Sequence, residues 1–253
     1  MPRSESRSTA ARLRGWIRSD VFWLGTVLVA GVVFWLAGGI RAEEPFHIPP
    51  PAGDVVATAA GEPAPLATAV FAAGCFWGVQ AVFQHTQGVT RAVSGYAGGT
   101  AATANYDQVT SGTTGHAEAV EITYDPSRVS FGQLLHVLFS VVHNPTQLNR
   151  QGPDVGTQYR SAIFVTDEGQ RRVAAAYIAQ LDAAKVYRAP IVTELRPLER
   201  FYPAESYHQD FATMFPDHPY IAAFDRPKIA NLRSLFPDRF RETPALVRQA
   251  AAN

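Results

Sequence analysis

Hydrophobic and polar positions divide the chain into three zones. Residues 21–40, VFWLGTVLVAGVVFWLAGGI, form one apolar run without a single charge. Residues 43–66, EEPFHIPPPAGDVVATAAGEPAPL, hold neither a helical nor a strand period. From Ala67 onward, strand-like and helix-like pieces alternate. TAVFAAG (68–74) is a short apolar run closed by glycine and predicts a buried strand. Behind it Val79, Val82 and Phe83 recur at helical spacing. AVEITYD (119–125) alternates like a strand and ends at Asp125-Pro126. Ser130 and Gln133 make a capping box for a helix with Leu134, Leu135, Leu138, Phe139 and Val142 on one face. YRSAIFV (159–165) predicts another strand. A helix over about 167–184 follows, with Val173, Tyr177 and Leu181 inward, and IVTELRPL (191–198) is a further strand. Strands interleaved with helices predict an α/β (α+β) fold, a two-layer sandwich of helices on a mixed sheet. The stretch from Phe201, dense in Pro, Tyr, His and Phe, predicts a short helix and a long coil-rich C-terminal segment wrapping the domain.

Charge gives the first two zones a meaning. Residues 1–20 are a basic N-terminal segment with Arg3, Arg7, Arg12, Arg14 and Arg18. A bilayer core needs about 20 apolar residues as a helix, and residues 21–40 supply them. The arginine excess on the N-terminal side points to a cytoplasmic N-terminus and an extracytoplasmic body. The expectation is a single-pass anchor in an inner or plasma membrane. The competing readings are a signal cleaved after Ala42, which leaves a secreted or periplasmic protein, and a buried core helix. Residues 41–66 then read as a Pro/Ala-rich linker, a semi-rigid spacer, or alternatively a loop packed on the domain. The globular domain spans 67–237 and a C-terminal tail spans 238–253.

At 253 residues with 47% hydrophobic composition, the chain has enough apolar content for a good core. Its 22 basic and 22 acidic residues balance, so nothing in bulk charge points to nucleic acid. The chain has one cysteine, Cys75, in AAGCFWGVQ, so no internal disulfide exists. That thiol is a small buried hydrophobe, an intermolecular partner or a reactive group. Placed where a strand turns into a helix, it would feel the helix N-terminus, which favours thiolate. The adjoining glycine would open the backbone to a ligand, and Phe76 and Trp77 would wall an apolar pocket for a methyl group or thioether. Glu118 opens an apolar strand; half-buried there, it would have a raised pKa and donate a proton, while a solvated strand-end glutamate is the plainer reading. GYAGGTAATANYDQV (95–109) is too glycine-rich and too aromatic for ordinary core. The loop NRQGPDVGTQYRS (149–161) gathers Asp154, Gln158, Tyr159 and Arg160 ahead of a strand.

GCFWG, GYAGG, SGTTGHAEAV, HNPTQLNRQGPDVGTQYRS and FYPAESYHQ occur in that order. Together, over roughly residues 68–237, they closely resemble the type A peptide methionine sulfoxide reductases. The resemblance implies that family's α/β fold and its chemistry. It aligns Cys75 with the nucleophile, and Phe76 and Trp77 with the aromatics that hold the substrate methyl. It aligns Glu118 with the acid that protonates the sulfoxide oxygen, and Tyr106 and Tyr159 with tyrosines that hydrogen-bond that oxygen. Asp154 aligns with a carboxylate of the same pocket, while Tyr207, His208 and Tyr220 match looser positions. The implied reaction reduces the S epimer of methionine sulfoxide, in proteins or as the free amino acid, and leaves Cys75 as a sulfenic acid.

Many members carry further cysteines that attack this sulfenic acid. Here Thr110 stands at one common place, and PALVRQAAAN has none. The resemblance therefore implies an external thiol reductant, a small thiol or a thioredoxin-like protein, and no bound cofactor or metal. A monomer is expected. Two other classes remain: a cysteine hydrolase using His116, His143 or His208 as base, and an anchored module that binds oxidised methionine without turnover.

Overall fold

The computed structural model describes residues 44–55 and 65–250, with side chains to residue 248. The expected anchor at 21–40 and basic segment at 1–20 lie outside the described residues. Among the described residues no helix is long and apolar enough to cross a membrane.

Six strands form one mixed sheet: β1 (Ala67–Ala73), β2 (Val89–Ala97), β3 (Ala117–Tyr124), β6 (Ser161–Val165), β7 (Glu194–Pro197) and β8 (Phe201–Pro203). A small hairpin, β4 (Arg150–Gln151) and β5 (Asp154–Val155), stands apart. The sheet order is β7-β6-β1-β3-β2-β8; all pairs are antiparallel except β6–β7. Successive residues of a strand face opposite sides. On β1, Ala69, Phe71 and Ala73 join the larger core beneath the helices, whereas Val70 and Ala72 join a second cluster with Ala119, Ala162 and Phe164. Covering both faces makes β1 a continuous apolar run, which is why the sequence marks it.

The helices on the larger core are α1 (Phe76–Gln84), α3 (Phe131–Val137), which runs on into a π-turn (Leu138–Val142), and α4 (Glu168–Ala184). Both hydrogen bonds of the expected capping box are present at α3: Ser130 Oγ accepts from Gln133 N–H, and Gln133 accepts from Ser130 N–H. Asp167 caps α4 by accepting from the Gln170 N–H. The mixed sheet with helices packed on it is the expected α/β arrangement.

Three segments differ from their sequence reading. β2 includes Gly95 and Tyr96 of the glycine-rich stretch read as unlike core; Tyr96 is fully buried and β2 pairs along β3 and β8. Gly95 is required because the Phe201 ring and the Tyr202 carbonyl of β8 occupy the place of a side chain there. Residues 44–55 depart from the semi-rigid spacer and follow the alternative, a loop packed on the domain as a strap. The Phe46 N–H donates to the Ser140 carbonyl at 2.8 Å, the Tyr177 hydroxyl to the Pro49 carbonyl at 2.7 Å and the Gln180 side-chain amide to the Pro50 carbonyl at 2.9 Å. Asp54 accepts from the Gly132 N–H at the start of α3, and the Phe46 ring meets Tyr187 edge-on. The start of the 238–253 tail is docked as well: Arg241 and Ala245 donate to the His85 and Gln84 carbonyls, and the N–H groups of Val247 and Arg248 reach the buried Asp210 carboxylate.

Candidate active site

β1 ends at Ala73, the chain turns through Gly74 at φ +88°, and Cys75 is the N-cap residue of α1. A side chain at Gly74 would overlap Gln151 of β4, so this glycine serves the close packing of the hairpin under the thiol. Gly78, on the first turn of α1, faces Asp225 so closely that a Cβ would lie 2.1 Å from its Oδ1. Both glycines around Cys75 therefore admit protein groups to its surroundings, not only ligand.

Glu118 is the second residue of β3, opposite Tyr96, and is 3% exposed. Its Oε2 accepts the Phe76 N–H at 2.9 Å, which ties the carboxyl to the first turn of α1. Burial pushes its pKa up to about 8; the Phe76 N–H pulls the other way and Asp154 adds to the rise. At neutral pH Glu118 is thus a carboxylic acid with a proton to give. The Cys75 thiol is also pushed well up, by burial first, then by Glu118 and Asp225. The Trp77 backbone N–H opposes this, and Asp154 adds to it. The helix terminus alone favours thiolate, but the resting group here is a thiol, because desolvation and neighbouring carboxylates outweigh the end of a nine-residue helix.

Tyr106 opens the short helix α2 (Tyr106–Val109), and its N–H donates to Glu205 Oε1 at 3.0 Å. Tyr159 ends a 3-10 turn before β6. Burial followed by Glu118 and Cys75 raises both phenols, so both stay neutral donors. Asp154 opens β5 and accepts a hydrogen bond from the Tyr220 hydroxyl. Burial raises the Asp154 pKa, against the pull of Tyr220 and Lys228. Cys75, Asp154, Tyr220, Phe224, Lys228 and Phe46 of the strap line one narrow cleft of about 30 Å³. Residues from distant parts of the chain thus converge: Cys75, Asp154 and Tyr220 line the cleft, Glu118 is tied to the first turn of α1, and Tyr106 and Tyr159 feel the charges of Glu118 and Cys75.

The two aromatics after Cys75 differ. The Phe76 ring points into the core, 1% exposed, against Tyr96 and His208. Its contribution at the site is its backbone N–H. Trp77 is partly exposed and stacks on Phe211, with ring centres 3.9 Å apart and planes 10° apart. Its indole Nε1–H donates to His208 Nδ1 at 3.2 Å. The other candidate bases are committed elsewhere. His143 shares its ring nitrogens with the Leu138 carbonyl and Ser161 Oγ, and its pKa falls to about 4 through burial; His116 Nε2 meets the Thr100 carbonyl. The thiol is therefore flanked by acids and phenols, an arrangement that delivers protons to a bound oxygen and does not draw a proton from the nucleophile to a histidine.

The family model described as peptide methionine sulfoxide reductase matches residues 67–239. The chain belongs to the peptide methionine sulfoxide reductase family. It is an oxidoreductase. A relative from Mesorhizobium japonicum, peptide methionine sulfoxide reductase MsrA 2, is 61% identical over 184 residues, covering 73% of this chain and 94% of the relative. One of the same name from Synechocystis is 52% identical, covering 68% and 81%. Methionine sulfoxide reductase A of Corynebacterium diphtheriae superposes with a TM-score of 0.53 at 34% identity, over 70% of this chain and 90% of that one. Reduced Mxr1 from Saccharomyces cerevisiae gives 0.56 at 28% identity, over 65% and 94%.

Sequence reasoning missed several groups around this reductase's thiol. Phe211 backs Trp77. Glu205 accepts from both the Tyr96 hydroxyl and the Tyr106 N–H. Arg160, which the sequence did place in the loop ahead of β6, donates to the carbonyls of Gly115 and His116 and braces the turn that leads into Glu118. Asp225 and Lys228 were missed entirely. Their signal was the spacing D-x-x-K inside the stretch expected to be coil, which reads without structure as an exposed pair.

Proposed function

We propose that Cys75 is the nucleophile of this reductase and Glu118 its proton donor. The observation that carries this is the buried Glu118 carboxyl held by the Phe76 N–H at the first turn behind Cys75, where burial pushes its pKa up to about 8. Methionine sulfoxide enters with its methyl against Trp77 and its oxygen toward Glu118, Tyr106 and Tyr159. Glu118 gives its proton to the oxygen and makes the sulfur electrophilic. The Cys75 sulfur attacks as the thiol proton passes to the carboxylate, so Glu118 ends as it began. Oxygen moves to cysteine, methionine leaves, and Cys75 becomes a sulfenic acid. The phenols hold the oxygen throughout with donors already aimed. One external thiol then converts the sulfenic acid to a mixed disulfide with loss of water, and a second restores Cys75. A small thiol or a thioredoxin-like protein serves. Asp154 and Tyr220 bind the substrate near its sulfur. The substrates are the S epimer in oxidised proteins and as free amino acid.

The apolar, uncharged residues 21–40 with arginines before them support a body held on the extracytoplasmic side of a membrane. There the enzyme repairs surface methionines of exported proteins.

The deciding experiment is a single turnover of the full-length chain with each epimer of a methionine sulfoxide peptide and no thiol. About one methionine per chain from the S epimer alone, with one oxygen gained on Cys75 by mass, is expected. Cys75→Ser forming methionine at the same yield would overturn the assignment.

A further inference from the structure

Beside the thiol lies a charged pair that the mechanism above does not use. Asp225 ends a π-turn (Ile221–Asp225) and leads into α6 (Arg226–Leu235). Its side chain is fully buried, and among the described residues its Oδ2 has no hydrogen-bond partner. Its Oδ1 sits against Gly78, three positions after Cys75, where any side chain would expel it. One α-helical turn onward, Lys228 Nζ reaches the same Oδ1 at 3.4 Å, and the lysine side chain is itself 15% exposed. Lys228 also lines the cleft that holds Cys75.

A lone ammonium there would favour a Cys75 thiolate. A buried carboxylate with one oxygen left bare is costly to keep. Its position against a glycine on the nucleophile's own helix gives that cost a use. We propose that Asp225 is a positioning residue that cancels the charge of Lys228 beside Cys75 and so keeps the resting enzyme in the thiol form. The sulfur is then a poor target for stray oxidants until a bound sulfoxide takes a proton from Glu118. Such restraint suits a chain whose single cysteine has no internal partner to rescue it.

Other groups act on the same thiol and must be held constant. Glu118 of β3 and Asp154 of β5 raise its pKa alongside Asp225. Tyr106, Tyr159 and Tyr220 face it as neutral phenols whose own pKa values it raises. The direct contribution of Asp225 agrees in sign with the proposal.

The inference rests on reading Cys75 as the reacting thiol. Alkylation by iodoacetamide reports the ionisation of that thiol whether or not sulfoxide is turned over, so the two readings fail separately. The alkylation rate of the full-length chain is measured against pH for wild type, Asp225→Asn, Lys228→Met and the double variant. In Asp225→Asn the midpoint is expected to fall by about one pH unit, making alkylation at a fixed pH below it about tenfold faster. Lys228→Met is expected to raise the midpoint. The double variant should return most of the way to wild type, because the two opposite electrostatic shifts sum, a result that loss of packing alone does not give. Should Asp225→Asn fail to fold, Lys228→Met and the double variant still decide. An Asp225→Asn profile that superposes on wild type, an unmoved Lys228→Met profile, or single and double variants that shift the same way would overturn the proposal.

Discussion

Glu118 carries the sharpest expectation at the scale of single residues. With its pKa near 8, single-turnover rate should hold from neutral pH downward and fall as pH rises through about 8, roughly tenfold per unit above it. Glu118→Gln removes the donated proton, so the neutral-pH rate should drop on the order of 100-fold or more and the alkaline limb should flatten. A stopped-flow or quench series from pH 6 to 10 reads both. The same group has a stability consequence of opposite benefit. Its folded pKa lies above its unfolded value near 4.5, so the folded state holds the proton more tightly. The stabilisation this brings is full below pH 4.5 and is lost as pH rises toward 8. Glu118→Gln escapes that loss, so its melting temperature relative to wild type should rise between pH 5 and pH 9. Gly78 gives the second expectation. By helix propensity Gly78→Ala would gain about 1 kcal/mol. Asp225 Oδ1 leaves no room for the added carbon, so denaturant titration should show a net loss instead. A net gain would show that Asp225 swings aside freely.

Legibility in the sequence differed from element to element for physical reasons. β1, α1, α3 and α4 were readable because each has a period or a run set by which faces are buried, and α3 and α4 also carry caps. β2 was not. It crosses β8 so closely that it needs Gly95, and small residues erase the β-branched signature that marks a strand. The strap over 44–55 was opaque for another reason. Its attachments are largely backbone groups of a Pro-rich segment meeting side chains of Tyr177, Gln180 and His136, and such bonds leave no pattern in the segment itself. The site was legible to the extent that its residues lie in short motifs; Phe211 and Asp225 lie outside them, and Glu205, though inside FYPAESYHQ, acts through tertiary contact with Tyr96 and Tyr106 that the motif does not display. The strap makes a testable claim. It packs Phe46, Ile48 and Val55 on the core and satisfies carbonyls of Ile48, Pro49 and Pro50. Deleting residues 44–55 should lower the melting temperature by several degrees, measured by calorimetry. Because Phe46 also walls the cleft at Cys75, KM for a sulfoxide peptide should rise as well. An unchanged melting curve would mean that the strap only rests on the surface.

Across the whole molecule, one cysteine in 253 residues sets the economy of the reaction. On the proposed mechanism Cys75 can be oxidised once and must then wait for an external thiol. Cys75 is partly buried and lines a narrow cleft with Gln151, Asp154 and Tyr220. Two folded copies cannot readily bring such recessed sulfurs to the separation of about 2 Å that a disulfide requires. After a turnover without thiol, the chain should therefore run as a covalent monomer on a non-reducing gel, with Cys75 one oxygen heavier. Adding a stoichiometric small monothiol should convert that species to a mixed disulfide, and only excess thiol or a dithiol should return free Cys75 and a second methionine. Intact-mass spectra taken at each stage separate the three forms. A disulfide-linked dimer as the main product would mean that the thiol is far more open than its surroundings allow, and that a second copy serves as the resolving partner. With the expected monomer, the rate of the whole cycle belongs to the external thiol: it should rise in proportion to thiol concentration while the single-turnover rate of methionine formation stays fixed.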